Sequence, residues 1–474
     1  MTNHKIFLGD TCLNKTETPV EGGFTQIQGE RFYKISNYDQ MPDFFMTIVS
    51  DSDHWMFISS NGALSAGRKD RNNALFPYYS VDKVEDYCGI TGSKTILLVE
   101  KSDKTFLWEP FSKALAGVYP TERNLYKSEY GNKIVYEEIN HELEIAFQYA
   151  WYSSEKFGFV RKSCITNHGE HVSRIRLLDG ITNILPSGVD YAFQNEYSNL
   201  LDAYKKNELL TETGLGLFLL SSIPVDRAEP SESLNANSVW TNGLANPGIL
   251  LSTDQVQDFK NGLTIHTETD TRARRGAYLV NAELQLDPHG KREWMIVGEV
   301  NQGAAEIANL DRLLASEGAI AELVNRDIQR GTDCLKKMVA GADGLQTSDE
   351  TLSTARHYSN TLYNIMRGGT YVNGYSVDTT DFREFIEATN RELSRDLGST
   401  LDALPRTTTI RALIRFAEST AIADLVRVSY EYLPLTFSRR HGDPSRPWNQ
   451  FSIENRNPDG SVKTDYQGNW RDIF

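Results

Sequence analysis

Residues His141–Trp151 read HELEIAFQYAW. Leu143, Ile145, Phe147, Tyr149 and Trp151 fall on one side of an extended chain, and Glu142, Glu144 and Gln148 fall on the other. A period of two is the spacing of a half-buried β-strand, whose successive side chains point to opposite faces. The same character extends on both sides, from the start of the chain to about residue 300. WMFISSNGALSAG (Trp55–Gly67) carries Asn61-Gly62 between two strand-like runs, the signal of a type I′ hairpin. CITNHGEHVSRIRLL turns at Asn167-His168-Gly169, and AELQLDPHGKREWMIVGEV turns at Asp287-Pro288-His289-Gly290. Repeated hairpins without intervening helices predict a large antiparallel β-sandwich over residues 1–302. Within it, NLLDAYKKNELL (Asn199–Leu210) reads as a short helix.

Near residue 303 the period changes. Leu310, Leu313 and Leu314, then Ile320, Leu323, Val324 and Ile328, recur at steps of three and four, which is one apolar face of a helix. Residues 303–345 therefore read as a helical linker, with Lys336 and Lys337 ending the apolar run before GADG (Gly341–Gly344). Thr347 and Glu350 have the spacing of a capping box for a helix running through Leu362 and Met366. RGGTYVNGY (Arg367–Tyr375) reads as a loop and DFREFIEATNREL as a helix. TTTIRALIRFAESTAIADLVRVSYEYL reads as a helix pair or one long helix. Strands followed by helices point to separate domains rather than βαβ units.

Bulk composition narrows the partners. The 474 residues carry 49 Lys and Arg against 64 Asp and Glu, a formal charge of −15. An acidic surface repels phosphate backbones and anionic lipid, so neither nucleic acid nor membrane is an expected partner. The longest apolar stretch, near GLGLFLLSSIPV, is too short to span a bilayer. MTNHKIFLGD lacks an apolar h-region, and a cytoplasmic protein is the expectation. Cys12, Cys88, Cys164 and Cys334 are scattered without CxxC spacing and read as reduced thiols. No metal or organic cofactor is expected. His168 and His171 sit on a turn, with no cysteine pair to complete a tetrahedral set.

Among the carboxylate pairs, Glu137-Glu138 read as a sheet surface or rim, and Asp378 and Asp381 as helix caps. The closing region differs. SRRHGDPSRPWNQF gathers Arg439, Arg440, His441, Asp443, Arg446 and Trp448, and YQGNWRDIF adds Trp470, Arg471 and Asp472. Where an Arg stands beside an Asp, the guanidinium donates to one sugar hydroxyl and the carboxylate accepts from another, and Trp faces cover the apolar side of a pyranose. Turn-rich segments are where binding residues concentrate.

The order β region, helical linker, helices resembles the inverting glycoside phosphorylases of the cellobiose phosphorylase type, and especially their larger glucan-acting relatives. YPTERNLYKSEYGNKIVYEEINHELEIAFQYAWYSSEKFGFVRKSCITNHGE is similar to their N-terminal sandwich, and Gly468-x-Trp470-Arg471-Asp472 resembles a Gly-x-aromatic-Arg-Asp stretch early in their helical barrel. The resemblance implies a β-supersandwich at 1–302, a linker at 303–345 and the start of an (α/α)6 barrel at 346–474. It implies that Arg471 and Asp472 bind the sugar whose bond is broken, with Trp470 and Arg440 as further substrate contacts. A homodimer is implied as well.

The reaction implied is cleavage of a β-glucoside or β-glucan by inorganic phosphate, a co-substrate, to give α-glucose 1-phosphate. Hydrolases of the inverting type need two carboxyl groups, whereas a phosphorylase needs only the acid, because phosphate is itself the nucleophile. The general acid is expected downstream of Phe474, so the chain reads as the N-terminal part of a longer protein. Asp472 is the fallback acid, although Arg471 beside it favours the ionised carboxylate. Two other readings stand beside this one. One is a hydrolase or polysaccharide lyase that joins a sandwich to an α/α toroid. The other is a non-catalytic carbohydrate-binding or dimerisation module.

Overall fold

A computed structural model describes residues 5–14, 18–197, 201–222, 235–316, 318–341, 344–345, 349–366, 376–430 and 432. The chain divides into two compact units, Met1–Thr332 and Asp333–Phe474. The described structure consists mostly of antiparallel sheets with several helices.

In the first unit the alternation read in HELEIAFQYAW holds from Ile145 onward, whereas His141–Glu144 form the turn before the strand, with Leu143 buried all the same. Strand Ile145–Ser154 lies inside a sheet of eleven described strands, paired with Ile134–Asn140 on one side and Gly158–Asn167 on the other. Ile145, Phe147, Tyr149 and Trp151 all point into one core. A sheet of five described strands, with Gly92–Lys101, Ser173–Ile184 and Gly276–Leu286 at its middle, supplies the opposing layer through Leu97, Val99, Ile175, Leu177, Tyr278 and Val280. A four-stranded sheet, Phe45–Ile48 to Ala74–Phe76, and a two-stranded one, Phe7–Leu8 with Thr11–Cys12, make up the rest of the described β structure of this unit. Each large core side chain withdrawn from water contributes roughly 1.5–3 kcal/mol.

The turns are less uniform than the sequence reading. Asn61-Gly62 does join paired strands, in the register Ile58↔Leu64. It is not a type I′ turn, because Gly62 takes a positive φ of 89° and Asn61 does not. The Asn61 side chain instead accepts from the Ala63 N–H at 3.1 Å, closing a longer loop. The turns at Asn167–Gly169 and Asp287–Gly290 are not hairpins. Each carries the chain from one layer of the sandwich to the other, since Gly158–Asn167 and Lys291–Gly303 belong to the large sheet and Ser173–Ile184 and Gly276–Leu286 to the five-stranded one. The two corners lie together. The Asn167 amide donates to the His171, Leu286 and Asp287 carbonyls, and the Asn167 N–H donates to the Gly290 carbonyl at 2.9 Å.

Among the described residues of NLLDAYKKNELL, Leu201–Tyr204 is helical. Lys205–Leu210 is a strand, with Lys205, Asn207 and Leu209 buried and their neighbours half-buried. Period-2 burial against the strand Leu215–Leu220 overrides the helix propensity of Lys, Glu and Leu.

After the last strand come the helices Ala304–Ala315 and Ile320–Gly341. Ile320, Val324 and Ile328 pack on the outer face of the large sheet against Val160, Trp240, Met295 and Val297. Leu323 stays exposed. Lys336 and Lys337 do not end the second helix, which continues to Gly341 because Leu335 and Val339 keep the apolar period and are buried.

The second unit contains the helix Thr351–Met366. Thr347 of the expected capping box lies outside the described residues. A smaller core follows, built from Val377, Phe382, Phe385, Ile386, Leu393, Leu413, Leu425 and Tyr432. Asp378 caps the helix Thr379–Thr389 by accepting from the Thr380 N–H at 2.9 Å. Asp381 lies in the first turn of the same helix and accepts from the Tyr432 hydroxyl at 2.8 Å. DFREFIEATNREL is not one helix, since Asn390 leaves the helical region and caps Arg391–Leu397 by accepting from the Leu393 N–H. Thr407–Thr409 pairs with Ser376–Asp378 as a short strand, ahead of the helix Ile410–Ser419 and a further helix at 423–430.

Candidate functional site

Arg440, Trp470, Arg471 and Asp472, the residues to which the sequence assigns sugar binding, lie outside the described residues. Arg439, His441, Asp443, Arg446 and Trp448 do so as well.

The described residues hold a different cavity that the sequence reading did not single out. A groove of about 570 Å³ runs over the outer face of the large sheet in the first unit, within the size range of small-molecule sites. Pleating builds it. On the strand Ile145–Ser154 the residues between the core positions, Gln148, Ala150 and Tyr152, face outward. On Gly158–Asn167, Arg161 and Ser163 point into the sandwich while Lys162 and Cys164 point into the groove. Small side chains at Ala150 and Val135 form the floor. Glu30, Phe32 and Lys133 raise one wall. Asn325, Ile328 and Gln329, from the helix packed on the sheet, raise the other.

Charge in the groove is unevenly paired. Lys133 bonds the Glu30 carboxylate at 2.6 Å. Lys291 donates to Glu293 at 2.8 Å. Lys162 makes no ion pair among the described residues; its ammonium donates to the Asn325 Oδ1 at 2.6 Å and stands 4.7 Å from the Tyr152 ring centre. Burial, with a smaller contribution from the neighbouring Lys133 charge, lowers the Lys162 pKa to about 8. The side-chain amides of Gln148 and Asn242 have no hydrogen-bond partner among the described residues, although both are half-buried. An amide both donates and accepts, as sugar hydroxyls require of a partner.

Beneath the groove the sandwich is held by buried polar clusters. Arg161 and Asp179 are fully buried and face each other across the two layers, with hydrogen bonds of 2.7 and 2.8 Å. Trp294 Nε1 and Thr95 Oγ1 also donate to the Asp179 carboxylate, at 2.7 and 2.6 Å. The ring of Tyr149 lies 4.9 Å from the Arg161 guanidinium. Glu138 is likewise internal rather than at a sheet surface or rim. It is 2% exposed and accepts from Trp108 Nε1, the Phe111 N–H and Arg123 Nε at 2.9, 2.6 and 2.7 Å. Alternation explains the difference, since Glu137 alone of the pair falls on the outer face, where it accepts from Asn124 and Tyr126. Partners in this number satisfy a buried carboxylate, so both clusters read as structural clamps.

One signal for the groove was present in the sequence. Gln148 on the face opposite the aromatic core residues, and Lys162 alternating with Arg161, mark a polar outer surface. The wall supplied by Asn325 and Gln329 was not legible, because it depends on where the helix docks.

Residues 371–434 match the family model of glycoside hydrolase family 149 insertion domain 1. The match supports a carbohydrate-active enzyme of glycoside hydrolase or phosphorylase type. No curated protein matches the chain. Among solved structures, the chain is similar to a bacterial glucoamylase complexed with acarbose, at 11% identity and a TM-score of 0.41, over 89% of this chain and 60% of that one. A protein described as a kojibiose phosphorylase from the human microbiome is similar at 11% identity and a TM-score of 0.34, over 70% of this chain and 41% of that one. A galactose mutarotase-like protein from Lactobacillus casei is similar at 9% identity and a TM-score of 0.27, over 54% of this chain and 100% of that one. The chain thus spans 60% of the length of the glucoamylase and less of the kojibiose phosphorylase.

Proposed function

We propose that the protein belongs to an enzyme that cleaves a β-glucoside or β-glucan with inorganic phosphate, releasing α-glucose 1-phosphate. The observation that carries this reading is the match of residues 371–434 to an insertion domain of a glycoside hydrolase family. The order of a large antiparallel β unit followed by helices, on which the sequence resemblance rests, agrees with it. In this reading an (α/α)6 barrel supplies the catalytic cavity, and the segment 371–434 is an insertion carried by that domain.

The reaction sets what the cavity must provide. One carboxylic acid protonates the departing glycosidic oxygen, and phosphate attacks the anomeric carbon from the opposite face. A second carboxylate there would repel phosphate, so Arg, His or backbone N–H groups should hold it instead. Arg471 and Asp472 are proposed to grip the glucosyl ring whose bond breaks, with Trp470 and Arg440 beside them. Asp472 serves as the acid only if no downstream carboxyl does.

The test is to incubate the protein, as its gene encodes it, with β-linked glucooligosaccharides in the presence and absence of phosphate. Phosphate-dependent formation of α-glucose 1-phosphate is expected, and Asp472→Asn is expected to abolish it. Release of free glucose at a rate indifferent to phosphate would make the enzyme a hydrolase. Near-normal activity of the Asp472→Asn variant would remove that residue from the site.

A further inference from the structure

We propose that the groove on the outer face of the large sheet binds an anionic monosaccharide, a single sugar ring bearing one phosphate or carboxylate group. The proposal does not depend on the reaction above. It starts from the charge count in the groove. Lys133 is taken up by Glu30 and Glu293 by Lys291, which leaves Lys162 as a cation whose described partners, Asn325 and Tyr152, are both neutral. Lys133, Glu30 and Glu293 act on Lys162 only through space, so this half-buried ammonium, whose direct contacts are neutral, gains from one added anion at contact distance. Phosphate and carboxylate both fit an ammonium, which acts on either as a point charge.

The rest of the groove fits the remainder of such a molecule. Gln148 and Asn242 flank Lys162 across the sheet. Gln148 pairs with Cys164, two residues along the same strand, and Asn242 pairs with Met295, the cross-strand partner of Lys162. Both amides are half-buried and lack partners among the described residues, so hydroxyls at adjacent ring positions can donate to and accept from them. Ala150 leaves the floor shallow between them. Tyr152 adds an aromatic side chain at one end. A volume of about 570 Å³ holds one hexose derivative with water but not a long glycan.

Lys162 itself provides the readout, because its amine reacts with acylating reagents at mildly alkaline pH. The protein is treated with N-hydroxysuccinimidyl acetate in the presence of α-glucose 1-phosphate, glucuronate, glucose or inorganic phosphate, and labelled lysines are identified by peptide mass mapping. Labelling of Lys162 is expected to fall with the phosphate ester, the uronate or both, while the exposed Lys104 is unaffected. Protection by the ester alone assigns a phosphate group, and protection by the uronate alone assigns a carboxylate. Gln148→Ala is expected to raise the protecting concentration about tenfold, the loss of one or two hydrogen bonds. Glucose or inorganic phosphate protecting as well as the anionic sugars, or no protection at all, overturns the proposal. Occupancy of any other sugar site leaves the Lys162 signal unchanged, so the outcome is separate from the fate of the phosphorolysis reading.

Discussion

Asp179 shows how much rests on one carboxylate. It is fully buried between the layers and accepts from Arg161, Ser163, Thr95 and Trp294. Removing its charge while keeping its shape leaves the buried Arg161 guanidinium uncompensated. Asp179→Asn is therefore expected to cost about 3–5 kcal/mol, the usual penalty for breaking a buried pair on one side. Urea unfolding of the β unit measures it, and a loss below about 1 kcal/mol would show that the guanidinium finds another partner or reaches water. Lys162 makes the opposite kind of prediction. Its folded pKa of about 8 lies below the free-lysine value of 10.5, so the unfolded chain holds the extra proton between those limits. The contribution of Lys162 to stability therefore rises as pH increases through that window. Lys162→Met should flatten that rise in the thermal midpoint, and an unchanged slope would place the ammonium in bulk-like water. Neither residue stood out by its identity. The alternation in GFVRKSCITN sends Arg161 inward and Lys162 outward, but only the structure shows that Asp179, eighteen residues on, faces Arg161.

Elements were legible where periodicity was strong and the two sides of the chain differed in polarity. IAFQYAW, the part of HELEIAFQYAW after its opening turn, and the helix bearing Ile320, Val324 and Ile328 follow their patterns. The strand Lys205–Leu210 was misread because Lys, Glu and Leu favour helices locally, whereas pairing with Leu215–Leu220 decides the matter. The turns at Asn167 and Asp287 were located correctly but taken for hairpins. A turn sequence reports a change of direction and not whether the next strand joins the same sheet or the facing one. Asn390 illustrates a break concealed by composition. DFREFIEATNREL has continuous helix formers around one Asn, and that Asn ends one helix and caps the next. Asn390→Ala is expected to remove the cap and destabilise the segment by about 1 kcal/mol. Thermal unfolding followed by far-ultraviolet circular dichroism checks this, and a stabilised variant would mean that the break is set by packing alone.

On the scale of the molecule, the chain joins a β unit whose core runs between two sheets to a helical unit with a core of its own. No described helix is long and apolar enough to cross a membrane. The net charge of −15 disfavours polyanionic partners. The sequence made the sandwich and the change to helices readable, because both are repeating patterns. It did not reveal the groove, which is assembled from strands and a helix far apart along the chain. The central claim is that phosphate, and not water, attacks the sugar. It is tested most directly by running the reaction on a β-glucan with inorganic phosphate labelled with heavy oxygen, then determining by mass spectrometry and carbon NMR which oxygen sits on the anomeric carbon of the product. The account predicts that the labelled phosphate oxygen bridges to that carbon in α-glucose 1-phosphate. An anomeric oxygen drawn from solvent, on free glucose, would contradict it.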